Sequence, residues 1–546
     1  MAQLTADNIS LAYADRVIVD GLDLDIAEGT VTTIIGPNGC GKSTLLRSLA
    51  RLMSPKKGAV LLDGQAIHEL PSRAVAKQLG LLAQGAIVPD SVTVAELAMR
   101  GRYPHQSFFQ PPTKRDAEAV EKALELAGMT DLRDRPVQQL SGGQRQRAWI
   151  AMALAQETPL LLLDEPTTFL DVAHQLEVME LVDRLNREEG RTIVMVLHDI
   201  NEAARVSDRI VAMRDGRIIG DGAPSEILTP ELLTRLFGVT CDVLPHPAPT
   251  RCPSYCVPRS YVRGATGRDR EVSTGFAING IRTGYQDVVV SDNLSLNIPG
   301  GRITALVGPN ACGKSTLIRT CARLQRAQTG MIELDGKDIA RGSHRDLAKR
   351  LAHLNQEASA PEDMLVEDLV MAGRRPHQGF LRRWTKDDEE IVDWAIRECR
   401  LEDLRFRPVG TLSGGQRQRA WIAMALVQDT PVLLLDEPTT FLDIAAQVEL
   451  LDLVWRLNRE QGKTIVMVIH DINLAAQYAD HIVAMRDGRI LAQGTPATVM
   501  TCPLLLRIFG IDADVVHHPE LGTPLMVPRR MSVPATHIPP APVLAS

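Results

Sequence analysis

The chain repeats itself at a fixed interval, and this repeat constrains the fold more than any other feature. Lys314 follows Lys42, and His470 follows His198, by 272 residues in each case. The segment Leu-Ser-Gly-Gly-Gln-Arg-Gln-Arg recurs at the same interval, so no residue has been gained or lost between these landmarks. A repeat of this length is a whole domain and not a solenoid unit. We therefore expect two copies of one fold in a single chain of 546 residues.

Both copies end on Val-Pro-Arg, and the stretch between them is polar, rich in Arg and without helical periodicity, as in a flexible linker. The last residues are rich in Pro and Ala and are expected to fray. The predicted boundaries are 1–259 for the first domain, 260–272 for the linker, 273–530 for the second domain and 531–546 for the tail. A helical subdomain is expected at about 86–140 in the first copy and about 358–412 in the second.

Short apolar runs rich in Val, Ile and Leu alternate with helical stretches in both copies, which is typical of a parallel or mixed α/β sheet. A helix is predicted at residues 114–127, within the first helical subdomain. The predicted buried strands are 31–35, 160–163 and 192–197 in the first copy, and 303–307, 432–435 and 464–469 in the second.

The segments 36–44 and 308–316 read GPNGCGKST and GPNACGKST, and both match G-x-x-x-x-G-K-[ST] between a strand and a helix. Glycines let backbone N–H groups close around phosphate oxygens, and the lysine reaches the β and γ phosphates. This pattern predicts binding of ATP, with the serine hydroxyl on Mg²⁺. The candidate residues are Gly36, Asn38, Gly39, Gly41, Lys42, Ser43, Thr44, Gly308, Asn310, Gly313, Lys314, Ser315 and Thr316.

Two adjacent acids follow a buried strand in each copy, in the segments LLLLDEP and VLLLDEP. We expect Asp164 and Asp436 to hold Mg²⁺ through water, and Glu165 and Glu437 to polarise the water that attacks the nucleotide. The alternative is a pair of capping residues where the strand ends.

LSGGQRQR, at residues 140–147 and 412–419, resembles the signature of the ABC ATPase family, and the resemblance covers nearly all of both copies. It implies two tandem P-loop NTPase domains of α/β class, each a RecA-like core with a helical subdomain. It also implies a head-to-tail pair within one chain. Ser141 and Gly143 would then face the ATP held by Lys314, while Ser413 and Gly415 would face the ATP held by Lys42.

The same resemblance gives roles to further pairs of residues. The histidines His198 and His470 would contact the γ-phosphate, although a lone histidine is more often structural. The tyrosines Tyr13 and Tyr285 would stack on adenine, although a lone tyrosine is more often part of a core. The remaining pairs are Gln84 and Gln356, which would sense Mg²⁺ and report to a membrane partner, and Asp171 and Asp443, which would cross the dimer contact.

No stretch approaches the ~20 apolar residues that span a bilayer. A net charge of −7 argues against a dedicated nucleic-acid binder. The resemblance therefore implies an ATPase that associates peripherally with the cytoplasmic face of the cell membrane. Its partners would be separate permease subunits and, through them, a substrate-binding protein.

Two segments favour a cargo class, namely 99–109 (MRGRYPHQSFF) and 372–380 (AGRRPHQGF), which resemble ATPases of ferric siderophore, haem and cobalamin importers. We expect them to form a basic docking surface, the alternative being a solvated basic face. The segment 518–530 resembles the tail of ferric siderophore ATPases, so siderophore import is favoured. The alternatives are sugar or peptide transport and a soluble tandem ATPase on ribosomes, which usually has a long charged linker. A DNA-repair ABC ATPase would be expected to carry zinc-binding insertions, and the unbroken interval of 272 residues leaves no room for them between the landmarks.

Cysteines add two expectations. Cys40 and Cys312 lie inside the phosphate loops, next to a helix N-terminus that lowers a thiol pKa. We interpret them as small filling residues that would block ATP when modified by a bulky reagent. Cys252 and Cys256, with Cys241 nearby, form a weak metal-ligand pattern, and buried or free thiols are the favoured interpretation.

Overall fold

The structure is a computed structural model that describes residues 4–83, 91–106, 111–168, 170–247, 252, 254–259, 275–285, 288–355, 359–378, 384–440 and 442–529. It divides into two compact units, residues 1–259 and 260–546. The predicted linker and tail lie outside the described residues, as do Gln84 and Gln356.

The described part of the first unit contains strands and helices in alternation. The strands are β1 (Leu4–Tyr13), β2 (Arg16–Ile26), β3 (Val31–Ile35), β4 (Lys57–Leu62), β5 (Gln65–Ala66), β6 (Leu79–Leu82), β7 (Leu160–Asp164), β8 (Thr192–Val196), β9 (Arg209–Arg214), β10 (Arg217–Gly222), β11 (Cys241–Pro245) and β12 (Ser254–Pro258). The helices are α1 (Lys42–Leu49), α2 (Ser72–Gln78), α3 (Val94–Arg100), α4 (Lys114–Leu126), α5 (Gly142–Ala155), α6 (Val172–Glu189), α7 (Ile200–Val206), α8 (Pro224–Ile227) and α9 (Pro230–Phe237), with 3₁₀ turns at Thr130–Leu132 and Val137–Gln139.

The second unit repeats this order. Its strands are β13 (Phe276–Tyr285), β14 (Val288–Ile298), β15 (Ile303–Val307), β16 (Thr329–Leu334), β17 (Lys337–Asp338), β18 (Leu351–Leu354), β19 (Val432–Leu435), β20 (Thr464–Val468), β21 (His481–Arg486), β22 (Arg489–Gly494), β23 (Ala513–His517) and β24 (Pro524–Pro528). Its helices are α10 (Lys314–Cys321), α11 (His344–Ala348), α12 (Val366–Ala372), α13 (Lys386–Glu398), α14 (Gly414–Leu426), α15 (Ile444–Gln461), α16 (Ile472–Tyr478), α17 (Pro496–Val499) and α18 (Cys502–Phe509), with 3₁₀ turns at Glu402–Leu404 and Val409–Thr411.

A mixed six-stranded sheet forms the core of each unit. Its order is β10-β9-β3-β8-β7-β6 in the first unit and β18-β19-β20-β15-β21-β22 in the second. All neighbours are parallel except the last hairpin of each sheet, β9 with β10 and β21 with β22. The predicted strands are confirmed, and every residue of β3, β7 and β8 is buried, which explains their continuous apolar runs.

A second, antiparallel sheet has the order β2-β1-β4-β5 in the first unit and β14-β13-β16-β17 in the second. Side chains of both sheets and of the helix after the phosphate loop form one hydrophobic cluster in each unit. A separate two-stranded hairpin, β11-β12 or β23-β24, closes each unit.

Three helices of the first unit, α3, α4 and α5, begin with a capping box. Thr93, Thr113 and Ser141 each accept a hydrogen bond from the backbone N–H three residues on, and the side chain at that position bonds back to the cap. Such caps satisfy N–H groups that have no partner inside the helix. The predicted helix at residues 114–127 is therefore confirmed to within one residue. Among the described residues, every helix is too short or too polar to cross a bilayer.

Candidate active sites

Three adjacent parallel strands of each core sheet deliver the candidate residues to one edge. In the first unit β3 leads into the glycine loop, β7 ends at Asp164 and β8 ends just before His198. Because the carboxyl ends of parallel strands meet at the same edge, a ligand binds there in open α/β sheets. The structure therefore brings the predicted loop, acids and histidine together within each unit.

Two glycines shape the first phosphate loop. Gly36 has φ 154°, and a Cβ atom there would lie 2.1 Å from the carbonyl oxygen of Met213 on β9. Gly41, the cap residue of α1, has φ 105°, in the left-handed region that favours glycine. Gly308 and Gly313 repeat these conformations in the second unit. Only glycine therefore lets the loop pack against the sheet and turn into the helix, where phosphate-binding N–H groups are exposed.

The loop lysines are buried and hold the loop closed. Lys42 Nζ donates to the carbonyl oxygens of Gly36, at 2.8 Å, and of Pro37, at 2.9 Å. Lys314 Nζ makes the same bonds to Gly308 and Pro309, at 2.8 and 2.7 Å. A buried ammonium requires such acceptors, and a phosphate oxygen offers a stronger one.

Oxygen groups suited to a divalent cation lie beside each loop. Ser315 Oγ donates to Asp436 Oδ1 at 2.7 Å, and Asp436 Oδ2 is buried with no hydrogen-bond donor among the described residues. Asp164 Oδ1 is buried and lacks a donor in the same described set. Burial raises the pKa of both aspartates, and the serine hydroxyls oppose that rise. A buried carboxylate with an unsatisfied oxygen next to a hydroxyl fits Mg²⁺, which prefers oxygen ligands.

Each candidate catalytic glutamate is paired with its histidine. His198 Nε2 lies 2.7 Å from Glu165 Oε1, and His470 Nε2 lies 2.9 Å from Glu437 Oε2. Burial is the largest single effect and opposes ionisation of both glutamates, but the histidine hydrogen bond, the threonine hydrogen bond and the charges of the histidine and the loop lysine together outweigh it and lower the pKa of each carboxyl. Both carboxyls are thus ionised at neutral pH, as a group that polarises water requires.

The backbone conformation of these two glutamates is unusual and indicates that their position is functional. Glu165 has φ 51° and Glu437 has φ 53°, a conformation that is uncommon for residues other than glycine. Residues held in this way cluster at functional sites. Their carboxylates bond to histidines that lie just past the end of a neighbouring strand, a geometry that differs from simple strand capping.

Each signature serine begins a long helix. Ser141 caps α5 and Ser413 caps α14, and each accepts a backbone N–H hydrogen bond at 3.3 Å. The glycines that follow, Gly142 and Gly143 in the first copy, form the first helical turn. Exposed N–H groups at a helix start attract phosphate.

The remaining predicted residues fall at helix starts and on exposed surface. Asp171 caps α6 and Asp443 caps α15. Tyr13 is 49% exposed and Tyr285 is 47% exposed, so neither tyrosine belongs to the core.

Comparison with known proteins identifies the repeated unit. The family model described as ABC transporter matches residues 19–168 and again residues 291–440, which together are more than half of the chain. The chain belongs to the ABC transporter family. The predicted fold class is confirmed, and the two cassettes are ATP-binding ATPase domains of that family.

Relatives match either one cassette or both. The ferric enterobactin transport ATP-binding protein of Escherichia coli (strain K12) is 51% identical over 247 residues, which cover 45% of this chain and 91% of that protein. A putative ABC transporter ATP-binding protein of Methanosarcina acetivorans is 30% identical over 556 residues, covering 91% of this chain and 86% of that protein. Among solved structures, an archaeal ribosome recycling factor in complex with the ribosomal stalk protein has a TM-score of 0.64 at 21% identity, over 96% of both chains.

The cassette structure corrects the interpretation of the basic segments. Arg102 is 1% exposed and Arg374 is 5% exposed, so these two arginines form no basic docking face. Arg102 Nε bonds Asp116 Oδ1 at 2.9 Å, and Arg374 Nε bonds Asp388 Oδ1 at 2.9 Å. The Gly-Arg-x-Pro-His pattern thus joins the helices of each cassette, because buried guanidinium groups require ionic partners. Arg375 is exposed, as a docking residue must be.

The structure describes the five cysteines that the sequence singled out. Burial raises the pKa of the Cys40 and Cys312 thiols, and the nearby lysines only partly oppose it, which agrees with the interpretation of both as small filling residues. Cys241, Cys252 and Cys256 are buried thiols, as favoured. No metal-binding group of three ligands occurs among the residues that the structure describes.

Sequence reasoning missed two residues that orient the candidate catalytic glutamates of the cassettes. Thr168 Oγ1 donates to Glu165 Oε2 at 3.1 Å, and Thr440 Oγ1 donates to Glu437 Oε2 at 3.2 Å. The available signal was the recurrence of Asp-Glu-Pro-Thr-Thr in both copies, in which the second threonine follows the glutamate by three residues.

Proposed function

We propose that this chain is the ATP-hydrolysing subunit that energises an ABC importer, with ferric siderophores as cargo and separate permease subunits as partners. The observation that carries the proposal is the identity of 51% to a ferric enterobactin transport ATP-binding protein over 91% of that protein. The Glu–His pairs in both cassettes support two hydrolysing sites.

In each proposed site the loop glycines, the lysine and the threonine after the serine bind the phosphates, and the exposed tyrosine stacks on adenine. Ser43 and Asp164 would hold Mg²⁺ in the first cassette, and Ser315 and Asp436 in the second. Bound Mg²⁺ neutralises charge on the phosphate oxygens. The predicted glutamines would complete this set.

Glu165 and Glu437 act as the groups that orient and polarise the attacking water. Each ionised carboxylate is held by a histidine and a threonine hydroxyl, which bond different oxygens of Glu165 and the same oxygen, Oε2, of Glu437. Two fixed hydrogen bonds restrict the carboxylate to one orientation, which lowers the reorganisation needed during reaction. Neutral substitutes for these glutamates keep the shape but lose the charge.

The proposal places the chain at the cytoplasmic face of the cell membrane, held there by the permease subunits. A substrate-binding protein would deliver the cargo to those subunits. Closure of the paired cassettes on ATP would be the bistable step that ATP biases, with the signature serines and the aspartates Asp171 and Asp443 taking part.

Uptake of radio-iron on several siderophores, with labelled cobalamin alongside, tests the proposal. Cells that lack the chain are restored with wild type or with the Glu165→Gln/Glu437→Gln form. Rescue of ferric siderophore uptake by wild type alone is the expected result. Unchanged uptake of iron and cobalamin in the deleted cells would refute the import proposal and direct the search to sugars and peptides.

A ribosomal role is the second candidate, because the fold likeness to a ribosome recycling factor extends over 96% of this chain. At 21% identity this likeness is one of fold, whereas the half-chain relatives above 50% identity are siderophore transport proteins. Sedimentation of tagged chain from lysed cells separates the candidates. An importer subunit is expected in the membrane fraction, and recovery with ribosomes in the presence of ATP would favour the second candidate.

A further inference from the structure

An asparagine in the helix after each candidate histidine bonds the backbone of the C-terminal hairpin. In the first cassette Asn201 Nδ2 donates to the carbonyl oxygen of Cys256 at 2.9 Å, and its Oδ1 accepts from the N–H of the same residue at 2.7 Å. In the second cassette Asn473 makes the same two bonds to Met526, at 3.0 and 2.7 Å. We call this pair of bonds the asparagine clasp. It fixes the amide of each asparagine at both ends.

The clasp is kept although the two hairpins have diverged. The clasped residue is Cys256 in one copy and Met526 in the other, and these positions differ by 270 residues, whereas the two asparagines differ by 272. The clasp bonds only backbone atoms, so the change of side chain leaves it intact. Bonds that persist through a change of both length and sequence indicate that the position of the hairpin matters more than its side chains.

The clasped asparagine belongs to the turn that follows the histidine. Asp199, the neighbour of His198 in the chain, caps α7, and its Oδ1 accepts from the backbone N–H of Asn201 at 2.7 Å and of Glu202 at 3.0 Å. The cap of α16 repeats this pattern in the second cassette. Short hydrogen bonds therefore join the hairpin to the helix start, and the histidine immediately precedes that helix start in the chain.

The same helix start also lies against the segment of the catalytic glutamate in the first cassette. His198 Nε2 is 2.7 Å from Glu165 Oε1, and Thr167, two residues after that glutamate, donates from Oγ1 to Glu202 Oε2 at 3.2 Å. A shift of the start of α7 would therefore move the histidine and disturb the segment of its glutamate together.

We propose that Asn201 and Asn473 are positioning residues for ATP hydrolysis, which hold each helix start against the C-terminal hairpin and thereby keep the histidine beside its glutamate. This inference rests on the proposed function, in which the histidines and glutamates act in hydrolysis. Groups that are fixed before reaction need less reorganisation during it. The C-terminal hairpins then belong to the hydrolytic machinery, although they lie outside the segments 19–168 and 291–440 that match the family model.

The test is ATP turnover by the full-length chain that carries Asn201→Ala, Asn473→Ala or both. Loss of the clasp should lower kcat about threefold to tenfold in the double variant, and less in each single variant, because a net hydrogen bond is worth about 1 kcal/mol. KM and nucleotide binding should stay close to wild type, since the phosphate loops are unchanged. Amide hydrogen exchange should become faster at the starts of α7 and α16, while the core strands stay protected.

Arg259→Ala together with Arg529→Ala is the matched control. Arg259 Nε bonds Asp242 Oδ1 at 2.7 Å and Arg529 Nε bonds Asp514 Oδ2 at 2.6 Å, in both cases within the hairpin. This control loosens each hairpin but leaves both asparagines in place, so we expect wild-type turnover. An equal loss of kcat in the control would overturn the inference, because the stability of the hairpin and not the clasp would then set the rate.

Wild-type kcat in the double asparagine variant would also overturn the inference, as would a parallel loss of nucleotide binding, which would indicate collapse of the whole site. If Glu165→Gln/Glu437→Gln turns over at the wild-type rate, the catalytic assignment fails and the inference fails with it. If that variant is inactive while the asparagine variants match wild type, only the role of the clasp is wrong. Unchanged siderophore uptake in cells that lack the chain refutes the import proposal and leaves the comparison of turnover intact.

Discussion

Truncation of Arg102 tests whether this arginine stabilises the first cassette or docks a partner. The guanidinium bonds Asp116 and, through Nη1, the carbonyl oxygen of Ala155 and Glu157 Oε2, both at 2.8 Å. Hydrogen bonds from Thr113 and Arg102 overcome the cost of burial and lower the pKa of Asp116 to about 2. Arg102→Ala leaves this carboxylate buried beside an empty volume, a change that costs about 3–5 kcal/mol.

A double variant separates charge from packing. Arg102→Met/Asp116→Leu removes both charges of the buried pair, so an unpaired Asp116 carboxylate never arises, although Glu157, which is partly exposed, and the carbonyl oxygen of Ala155 lose this donor. It still loses the cap that Asp116 gives to Thr113, which costs about 1 kcal/mol. We expect the double variant to lie within about 2 kcal/mol of wild type, well above Arg102→Ala.

Hydrogen exchange of amides in α3, α4 and α5 is the suitable assay, because a chain of two cassettes does not unfold in one step. A loss of 3–5 kcal/mol corresponds to exchange that is about a hundredfold to a few thousandfold faster. Arg375→Ala, at an exposed arginine, is the control and should leave exchange unchanged. Wild-type protection in Arg102→Ala, combined with loss of membrane association, would refute the structural role.

Two further predictions follow from groups whose pKa is raised by desolvation. Burial and a neighbouring carboxylate raise the pKa of Glu202 to about 8, above its ordinary 4.5, so its ionisation destabilises the folded state as pH rises from about 4.5 through 8. Glu202→Leu introduces the residue found at the equivalent position, Leu474, and should raise the free energy of unfolding by about 1–2 kcal/mol at pH 9 and leave it unchanged at pH 4.5. The gain is small because water screens this partly exposed side chain. Thermal unfolding at both pH values measures the difference, and equal gains at the two would contradict the reasoning. Because burial raises the pKa of Cys40 and Cys312, a maleimide at pH 8 should modify the exposed Cys502 much faster than either of them. ATP binding should be lost only as the two loop thiols react. Mass spectrometry of tryptic peptides, alongside nucleotide binding, shows the order in which the three cysteines are modified.

The strands and the clustering of the site were predictable from the sequence. Each buried strand is a continuous apolar run bounded by polar residues, and β3, β7 and β8 carry the motifs at their carboxyl ends. Parallel neighbours bring such ends together whatever the detail of the loops. The motifs alone do not predict the hydrogen bond between Glu165 and His198, which follows from the parallel arrangement of β7 and β8.

The role of Arg102 was not predictable, because arginine is usually exposed and its partner lies 14 residues away with no periodic relation to it. The burial of Asp116 follows from helix packing, which the spacing of residues does not express.

ATP turnover by four forms of the chain tests the central claim, that each cassette supplies the glutamate that polarises water at one of two hydrolytic sites, Glu165 in the first cassette and Glu437 in the second. The forms are wild type, Glu165→Gln, Glu437→Gln and the double variant, with nucleotide binding measured in parallel. We expect normal ATP binding in all four, reduced turnover in each single variant and nearly none in the double variant, because the amide keeps the shape of the glutamate without its charge. Substantial turnover in the double variant would contradict the claim.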